Sequence, residues 1–425
     1  MDFDIKYVKA LQVLDSRGDP TVEVIVITEG GGVGRAIAPA GASRGRLEAV
    51  DLRDGGKAYG GRGVRKAVEA VNKYIAPAIK GMDASRYREV DKKIIDIDGT
   101  VNKSRLGGNA TTATSLAVVN SAADTASVPL FEFLGGRRAR TLPTPLMNII
   151  NGGVHAGNEL SIQEFMIAPV GADSFSEAIR LAVEVYKALK NILKDTYGTL
   201  AINVGDEGGF APPMKKTEEA LDIMVKSIRS AGYEPGSDVV IALDVAASHF
   251  YSEGKYYIDG KMIEPHELLD LYLDLIARYP IISIEDPFHE DQPNMFKELR
   301  SKVKGKVLVI GDDLTVTRID KVSKFMSDEV IDGAIIKVNQ VGTVSEAEDV
   351  IRYLLFNNGK AIVSHRSGES EDVSIAHIAV AYETGLIKAG APARGERTAK
   401  YNELLRIEDY LGGEATYLGI KSFLR

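Results

Sequence analysis

Ile281-Ile282-Ser283-Ile284-Glu285-Asp286 is a short run of mostly apolar, β-branched residues that ends in two acidic ones. Runs of about four to eight such residues are typical of strands that are buried on both faces of a parallel sheet. Similar runs stand at 239–243, 307–310, 334–336 and 361–363, and each is followed within a few residues by a charged side chain. This repeated strand signal determines which folds are possible.

The segments between these runs have the apolar periodicity of helices. We predict helices at 264–278, 318–326, 345–356 and 371–384. A parallel barrel and a doubly wound sheet both alternate strands with helices in this way. The number of strand–helix units favours the barrel, which we assign to residues 141–425.

Residues 1–140 follow a different pattern. We predict strands at 7–14 and 21–27, then helices at 64–79, 85–97 and 109–126. The two strands and the turn between them are typical of an antiparallel meander, and the small residues of the last helix indicate close packing. Strands followed by helices indicate an α+β domain. The predicted fold class is therefore α/β, with an N-terminal α+β domain before a (β/α)8-like barrel and a boundary near Arg140.

The composition excludes several classes of protein. The chain has 425 residues and no Cys, which rules out disulfide scaffolds, thiolate metal sites and cysteine nucleophiles. Its net charge is −8, divided into +5 over residues 1–140 and −13 over the rest, and acidic chains are poor candidates for binding nucleic acid. Because neither a signal peptide nor an apolar stretch of membrane-spanning length is evident, we expect a cytoplasmic protein with no membrane partner.

Three of the strand ends carry a carboxylate, namely Asp244, Glu285 and Asp312. A single charged residue at such a position is more often an ordinary loop or helix-capping residue. In a parallel barrel, however, the carboxyl ends of all strands meet at one mouth, where active sites are built. Three carboxylates there would repel one another unless a cation neutralised them, and oxygen ligands suit magnesium. We therefore predict that these residues bind magnesium.

Lys337 follows another predicted strand and is expected at the same mouth. It would either form a salt bridge with a carboxylate or, with its pKa depressed by nearby cations, act as a base. Arg366 and Ser367 offer a guanidinium fork and a hydroxyl group that suit a phosphate. The residues alone thus predict a magnesium-dependent enzyme that removes an α-proton from a phosphorylated carboxylate.

Motifs spread in order along nearly the whole chain resemble those of the enolase family. They stand at 14–18, 41–43, 151–156, 163–165, 204–209, 283–287, 312–314, 337–340, 364–369 and 394–400. The resemblance implies an enolase-type barrel whose first connections are irregular. It also implies the reversible dehydration of 2-phosphoglycerate to phosphoenolpyruvate in glycolysis and gluconeogenesis, by a homodimer or a larger homo-oligomer.

The resemblance further implies a role for each matching residue of the site. Lys337 would remove the proton from carbon 2, and Glu207 would protonate the departing 3-hydroxyl group. The implied ligands of two magnesium ions are Asp244, Glu285, Asp312 and, for the second ion, Ser43. The implied contacts with the substrate are His155, Gln163, Glu164, Glu285, Asp312, His365, Arg366, Ser367 and Lys400, of which Lys400 would bind the carboxylate.

Two alternatives stay open at this point. Other enzymes of the enolase superfamily, such as cycloisomerases and acid-sugar dehydratases, share the barrel carboxylates. They usually lack the Ser43 loop and the phosphate signature at 364–369, and both are present here. The second alternative is a scaffold or surface-binding protein that keeps the fold, although a chemically competent residue stands at every catalytic position.

Overall fold

The computed structural model describes residues 1–41, 45, 47–153 and 156–424. Its N-terminal part begins with the predicted antiparallel meander. The strands, in the order in which they pair, are β1 (Ile5–Leu14), β2 (Pro20–Thr28) and β3 (Val33–Ile37). Val22, Val24 and Val26 of β2 point to one face and are completely buried, so the burial of alternate residues holds this sheet against the helices that follow.

Helices cover this buried face. They are α1 (Arg65–Ala70), α2 (Ala76–Ile79), α3 (Tyr87–Asp98), α4 (Gly108–Thr125) and α5 (Leu130–Gly135). α4 lies so close to β3 that a Cβ atom on Gly34 would be 2.0 Å from the carbonyl oxygen of Ala117, which confirms the close packing expected of its small residues. The helix predicted at 64–79 is interrupted by a π turn at Val71–Ile75, because Pro77 cannot donate a helical hydrogen bond to the preceding turn.

The rest of the chain contains the strands of the barrel and a few short pairs. In chain order they are β4 (Thr141–Leu142), β5 (Thr144–Asn151), β6 (Glu164–Pro169), β7 (Val239–Asp244), β8 (Tyr251–Ser252), β9 (Lys255–Ile258), β10 (Lys261–Ile263), β11 (Ile281–Glu285), β12 (Leu308–Gly311), β13 (Gly333–Ile336), β14 (Lys360–Ser364), β15 (Leu386–Lys388) and β16 (Thr416–Tyr417). The strands β5, β6, β7 and β11 to β15 close into a barrel, which settles the choice between barrel and doubly wound sheet. The predicted fold class is confirmed.

Helices surround the barrel and connect its strands. They are α6 (Phe175–Tyr197), α7 (Thr217–Ser230), α8 (Pro265–Arg278), α9 (Pro293–Val303), α10 (Ile319–Ser327), α11 (Val338–Val341), α12 (Val344–Phe356), α13 (Ser374–Ala381) and α14 (Gly395–Leu411). The helix predicted from residue 371 begins only at Ser374, whose backbone N–H donates to the side chain of Asp372. None of the helices in the described part of the chain is both long enough and apolar enough to cross a membrane.

The barrel departs from a regular parallel one at β6. This strand runs antiparallel to β5 on one side and to β7 on the other, whereas β7, β11 to β15 and β5 pair in parallel. The mouth that receives the carboxyl ends of the other strands therefore receives the first residue of β6. Register aligns Glu164 of β6 with Asp244 of β7, and Asp244 with Glu285 of β11.

Two segments of the N-terminal part, the turn after β1 and the stretch after β3, lie against the mouth of the barrel. The backbone N–H of Ser16 donates to the carbonyl oxygen of Glu369 at 2.7 Å, and Ala40 exchanges backbone hydrogen bonds with Gly368. A Cβ atom on Gly368 would be 2.8 Å from the carbonyl oxygen of Ala40, so this contact requires glycine. The N-terminal part thus contacts the loop after β14, which carries several of the predicted site residues.

Candidate active site

A cavity lies at the mouth of the barrel, between the strand ends and the loops that follow them. The predicted site residues that line it are Gln163, Glu164, Glu207, Asp244, Asp312, Lys337, His365, Arg366 and Ser367. Glu285 belongs to the same group through an ion pair with a lysine of the cavity wall. Ser43 and His155 lie outside the described residues. The strand-end rule and the family motifs therefore converge on one place.

That lysine is Lys388, which the sequence analysis did not select. It is the last residue of β15, and its Nζ atom lies 2.7 Å from Asp244 Oδ2, 2.9 Å from Glu285 Oε2 and 3.3 Å from Glu164 Oε1. Burial opposes the charge, but these carboxylates raise the pKa of Lys388 well above its ordinary value. The sequence contained the signal, since an apolar pair precedes Lys388 as at other strand ends, but the run is too short to stand out.

The carboxylates around Lys388 repel one another, so each makes ionisation of its neighbours less favourable. Burial raises the pKa of Glu164 well above its usual range, and the neighbouring Glu207 raises it further. Burial also raises the pKa of Glu285, with Asp244 adding to the effect. Several acids that oppose one another's ionisation in a buried site are typical of a place that binds positive charge.

Lys400 was predicted to bind the carboxylate of the substrate, but the structure places its side chain against Glu369, away from the cavity wall. Its Nζ atom donates to Glu369 Oε2 at 2.8 Å and to the carbonyl oxygen of Ser370 at 2.6 Å, and its side chain is buried there. Among the described residues the cavity wall includes Lys388 and excludes Lys400. The motif at 394–400 resembles the family, but the motif alone does not determine which lysine faces the cavity.

Lys337 forms an ion pair with Asp312 at the mouth. Its Nζ atom lies 2.5 Å from Asp312 Oδ2. Burial would lower the pKa of Lys337, but the attraction of Asp312 outweighs it and the pKa is raised. The structure thus shows the salt-bridge alternative, whereas the pKa depression that was expected from bound cations stays a prediction.

Asp286 holds the backbone at the end of β12, where the predicted ligand Asp312 lies. Its two carboxylate oxygens accept hydrogen bonds from the backbone N–H groups of Asp312 and Asp313, at 2.9 and 2.6 Å. Asp286 itself has a φ of 42°, which a non-glycine residue rarely adopts, so the contact is held against backbone strain. Among the described residues, Asp286, Asp312 and Asp313 have carboxylate oxygens close enough together to share one cation. Asp312 is common to this group and to the predicted ligand set.

The donor set fits a hard cation. Every candidate ligand from Asp244, Glu285, Asp312 and their neighbours is a carboxylate or amide oxygen, and magnesium prefers such ligands. Gln163 Oε1 and Glu164 Oε2 are buried with no hydrogen-bond partner in the described part of the chain. These buried oxygens have no donor and lie beside carboxylates with raised pKa values. A cation bound among them would satisfy the oxygens.

Arg366 and Ser367, which were predicted to bind a phosphate, lie on the cavity wall. Arg366 is buried, and its guanidinium group donates to Glu48 Oε2 at 3.0 Å and to Asn339 Oδ1 at 3.1 Å. Glu48 belongs to the segment that precedes α1, and sequence analysis did not select it. Its role is to orient the arginine, because a carboxylate and an amide oxygen fix the plane of the guanidinium fork.

Glu207 and His365 lie together on the wall of the cavity. Both are buried, and Glu207 Oε2 accepts a hydrogen bond from the Asn148 side-chain amide at 3.1 Å. His365 Nε2 lies 3.8 Å from the same oxygen. Burial lowers the pKa of His365 well below its ordinary value, so the imidazole is neutral at neutral pH. The Glu207 carboxyl group therefore lies between a side-chain amide and a neutral imidazole.

The fold and the site together define a barrel enzyme for an anionic substrate, with an acid, a lysine and an oxygen-rich cation site at one mouth. Comparison with known proteins narrows this class. Residues 5–134 match "Enolase, N-terminal domain" and residues 139–425 match "Enolase, C-terminal TIM barrel domain". The chain belongs to the enolase family.

Several proteins similar to this chain are named enolase. The chain is 53% identical over 418 residues to the enolase of Aeropyrum pernix, covering 98% of this chain and 97% of the relative. It is 54% identical over 410 residues to that of Methanocaldococcus jannaschii, covering 96% of each, and 53% identical over 420 residues to that of Pyrococcus furiosus, covering 98% of this chain and 97% of the relative. The similarity therefore extends over both domains of the family.

Proposed function

We propose that this protein converts 2-phosphoglycerate to phosphoenolpyruvate and back, as a magnesium-dependent phosphopyruvate hydratase. The observation that carries the proposal is one buried cavity whose wall combines Lys337, Glu207 and Arg366 with a cluster of carboxylates. A base, an acid, a phosphate-binding fork and a cation site are the groups that this dehydration requires. The enzyme is accordingly a carbon–oxygen lyase with a glycolytic role.

Lys337 is the proposed base for the proton on carbon 2. Its Nζ atom donates to Asp312 at 2.5 Å, so it accepts a proton only after this ion pair is released. Glu207 is the proposed acid that protonates the 3-hydroxyl group as the carbon–oxygen bond breaks. The two residues lie in different connections of the barrel, which allows one to take a proton while the other gives one.

Lys388 is the proposed contact for the carboxylate of the substrate, in place of Lys400. It carries the positive charge nearest to Glu164, Asp244 and Glu285 and is protonated at neutral pH. Arg366 and Ser367 would bind the phosphate, and Gln163, Glu164 and His365 would complete the pocket. His155 is proposed for the pocket on the family motif alone.

Magnesium would bind to Asp244, Glu285 and Asp312, and a second ion would involve Ser43. Bound there, the metal would supply positive charge against the second negative charge that develops on the substrate carboxylate when the carbon 2 proton leaves. This assignment follows the known chemistry of enolase-superfamily sites, in which a lysine or histidine base acts with one or two magnesium ions. We further propose a division between the two domains near Arg140; a homodimer or larger homo-oligomer and a cytoplasmic location stay predictions.

The test is formation of phosphoenolpyruvate from 2-phosphoglycerate by the purified protein, followed by the absorbance of the product. We expect turnover with magnesium and its loss after chelation. No conversion in the presence of magnesium would refute the proposal, and dehydration of an acid sugar instead would support the alternative superfamily enzyme. A folded protein inactive on both substrates would favour the scaffold alternative.

A further inference from the structure

Arg397 is a completely buried arginine whose function the proposed reaction leaves unexplained. It lies in the first turn of α14, and its side chain has no exposed surface. Nη1 donates to the carbonyl oxygen of Arg366 at 2.6 Å, and Nη2 donates to those of Ser367 at 2.5 Å and Asp206 at 3.1 Å. One guanidinium group thus joins the loop before Glu207 to the loop that carries the proposed phosphate contacts.

The same guanidinium group contacts the imidazole of His365. Arg397 Nη1 lies 2.6 Å from His365 Nδ1. An arginine side chain has only donors and stays protonated in proteins, so Nδ1 must be the acceptor in this hydrogen bond. The single ring proton of a neutral His365 therefore resides on Nε2, the nitrogen that lies 3.8 Å from Glu207 Oε2.

The charges around His365 agree with a neutral ring. Burial is the largest influence that lowers its pKa, and the charges of Arg397, Lys388 and Lys337 lower it further. The carboxylate of Glu207 acts in the opposite direction and does not outweigh them. A protonated imidazole would also place a second N–H group, on Nδ1, directly against the guanidinium donor.

We propose that Arg397 is a positioning residue that holds His365 in the Nε2–H tautomer, so that His365 directs this N–H group at Glu207, 3.8 Å away, and donates to it when the carboxylate forms. The inference rests on the proposed role of Glu207 as the acid. In that step the Glu207 proton moves to the departing hydroxyl oxygen, the carbon 3–oxygen bond breaks and water leaves. Glu207 remains as a buried carboxylate, and the His365 Nε2–H group stabilises this charge while keeping its own proton.

The tautomer is observable directly in the folded protein without substrate. The chain has six histidines, so the imidazole nitrogens of ¹⁵N-histidine-labelled protein can be resolved by NMR, with His365→Gln used to assign the signal. We expect His365 to show a protonated Nε2 and an unprotonated Nδ1 at about pH 6 to 8. A proton on Nδ1, or an imidazolium ion at about pH 7, would overturn the proposal. If the unmodified protein does not turn over 2-phosphoglycerate, the proposed function is refuted, but the measured tautomer of His365 is unaffected.

Variants test whether Arg397 acts through His365. In Arg397→Met we expect the Nδ1–H tautomer to appear and dehydration to slow at least about tenfold, while exchange of the carbon 2 proton catalysed by Lys337 is retained. Arg406→Met is the matched control, because Arg406 is an exposed arginine on the same helix and should change neither quantity. Equal losses of exchange and dehydration would indicate a merely structural role and overturn the proposal.

Two further variants keep the test decisive. Arg397→Lys still presents only donors to Nδ1, so we expect the Nε2–H tautomer to persist even if Arg397→Met does not fold; a change of tautomer in Arg397→Lys would contradict the proposal. Arg397→Met combined with His365→Gln should slow dehydration by less than the product of the single effects, since both changes act on the same imidazole N–H group that is directed at Glu207. Effects that multiply fully would show that the two residues act independently.

Discussion

β6 and β11 flank the same strand of the barrel, β7, and they deliver glutamates to the same mouth from opposite strand ends. Glu285 is the last residue of β11, whereas Glu164 is the first residue of β6. Both align with Asp244, and both contact Lys388. Position at the mouth therefore depends on strand direction, and a rule based on strand ends applies only to the parallel part of the barrel.

The two parts of the mouth also differ in chemistry. The parallel part, from β7 to β15, supplies Asp244, Glu285 and Asp312 together with Lys337 and Lys388. The connection that includes the antiparallel β6 supplies Gln163, Glu164 and, in the loop before α7, Glu207. We infer that the parallel part binds the cation and the charged groups of the substrate and removes the proton, while the irregular part supplies the acid that protonates the departing hydroxyl group.

The largest expected effect separates the two proton transfers. Lys337→Ala should abolish exchange of the carbon 2 proton with solvent and lower dehydration about 10⁴-fold, because the base is lost. Glu207→Gln should stop dehydration equally but leave the exchange, because the proton is still removed. Deuterium exchange followed by NMR measures the first quantity, and product absorbance measures the second. Lys324→Ala, an exposed lysine on α10, is the control, and equal loss of exchange in both site variants would refute the division of roles.

The next largest effect concerns the two buried lysines. Lys388→Met should lower kcat/KM about 10² to 10³-fold, because it removes positive charge that faces the substrate. Lys400→Met should act mainly on stability, by about 3 kcal/mol, because it leaves the buried carboxylate of Glu369 without its partner. Steady-state kinetics and urea unfolding of both variants distinguish the effects. A larger loss of turnover in Lys400→Met than in Lys388→Met would restore the assignment made from the sequence.

A smaller effect should separate Glu285 from Glu164 by their dependence on metal. Glu285→Gln should raise the magnesium concentration required for half-maximal activity about tenfold to a hundredfold, since it weakens a proposed ligand. Glu164→Gln should lower turnover without a comparable change in magnesium dependence. Activity measured over a series of magnesium concentrations provides both values. An identical shift in the two variants would show that both parts of the mouth bind the cation.

The smallest predicted effect concerns a residue away from the mouth. There α3 of the N-terminal part packs on α12, a helix of the parallel part of the barrel. Asp91 is completely buried and accepts a hydrogen bond from the backbone N–H of Ser345 at 2.9 Å, and burial raises its pKa to about 6. The unfolded pKa is about 3.9, so the folded state binds this proton more tightly and stability falls as the pH rises from about 4 to about 6. Asp91→Asn should remove this fall in stability, because asparagine does not ionise.

Thermal and urea unfolding at several pH values test the prediction. Asp91→Asn should be more stable than the unmodified chain by about 1 to 3 kcal/mol above about pH 6, and the advantage should shrink toward about pH 4. Asp96→Asn, an exposed aspartate on the same helix, should show no such dependence. An advantage of Asp91→Asn that is constant with pH would mean that the effect is not one of protonation.

Local sequence patterns were enough to predict the class of fold and the charged side chains at the parallel strand ends, whereas Gln163, Glu164, Glu207 and His365 were predicted from the family resemblance. Apolar runs that end in Asp244, Glu285 and Asp312 predicted strands, a barrel and a carboxylate cluster, because buried parallel strands have a local pattern that can be read residue by residue. The absence of Cys excluded thiolate ligands. The meander at the N-terminus was equally local, since alternation and turn residues lie within one short segment.

Only the three-dimensional fold showed three features of the site. They are the direction of β6, the lysine that faces the cavity and the partner of Arg397. Glu164 reaches the mouth because its strand is antiparallel. Lys388 lines the cavity, whereas Lys400 on α14 contacts Glu369, and Arg397 contacts His365 across 32 positions of sequence. Each of these depends on contacts between segments that are distant in the chain. Local patterns record burial and periodicity, whereas strand direction and the partner of a buried charge are set by packing of the whole fold.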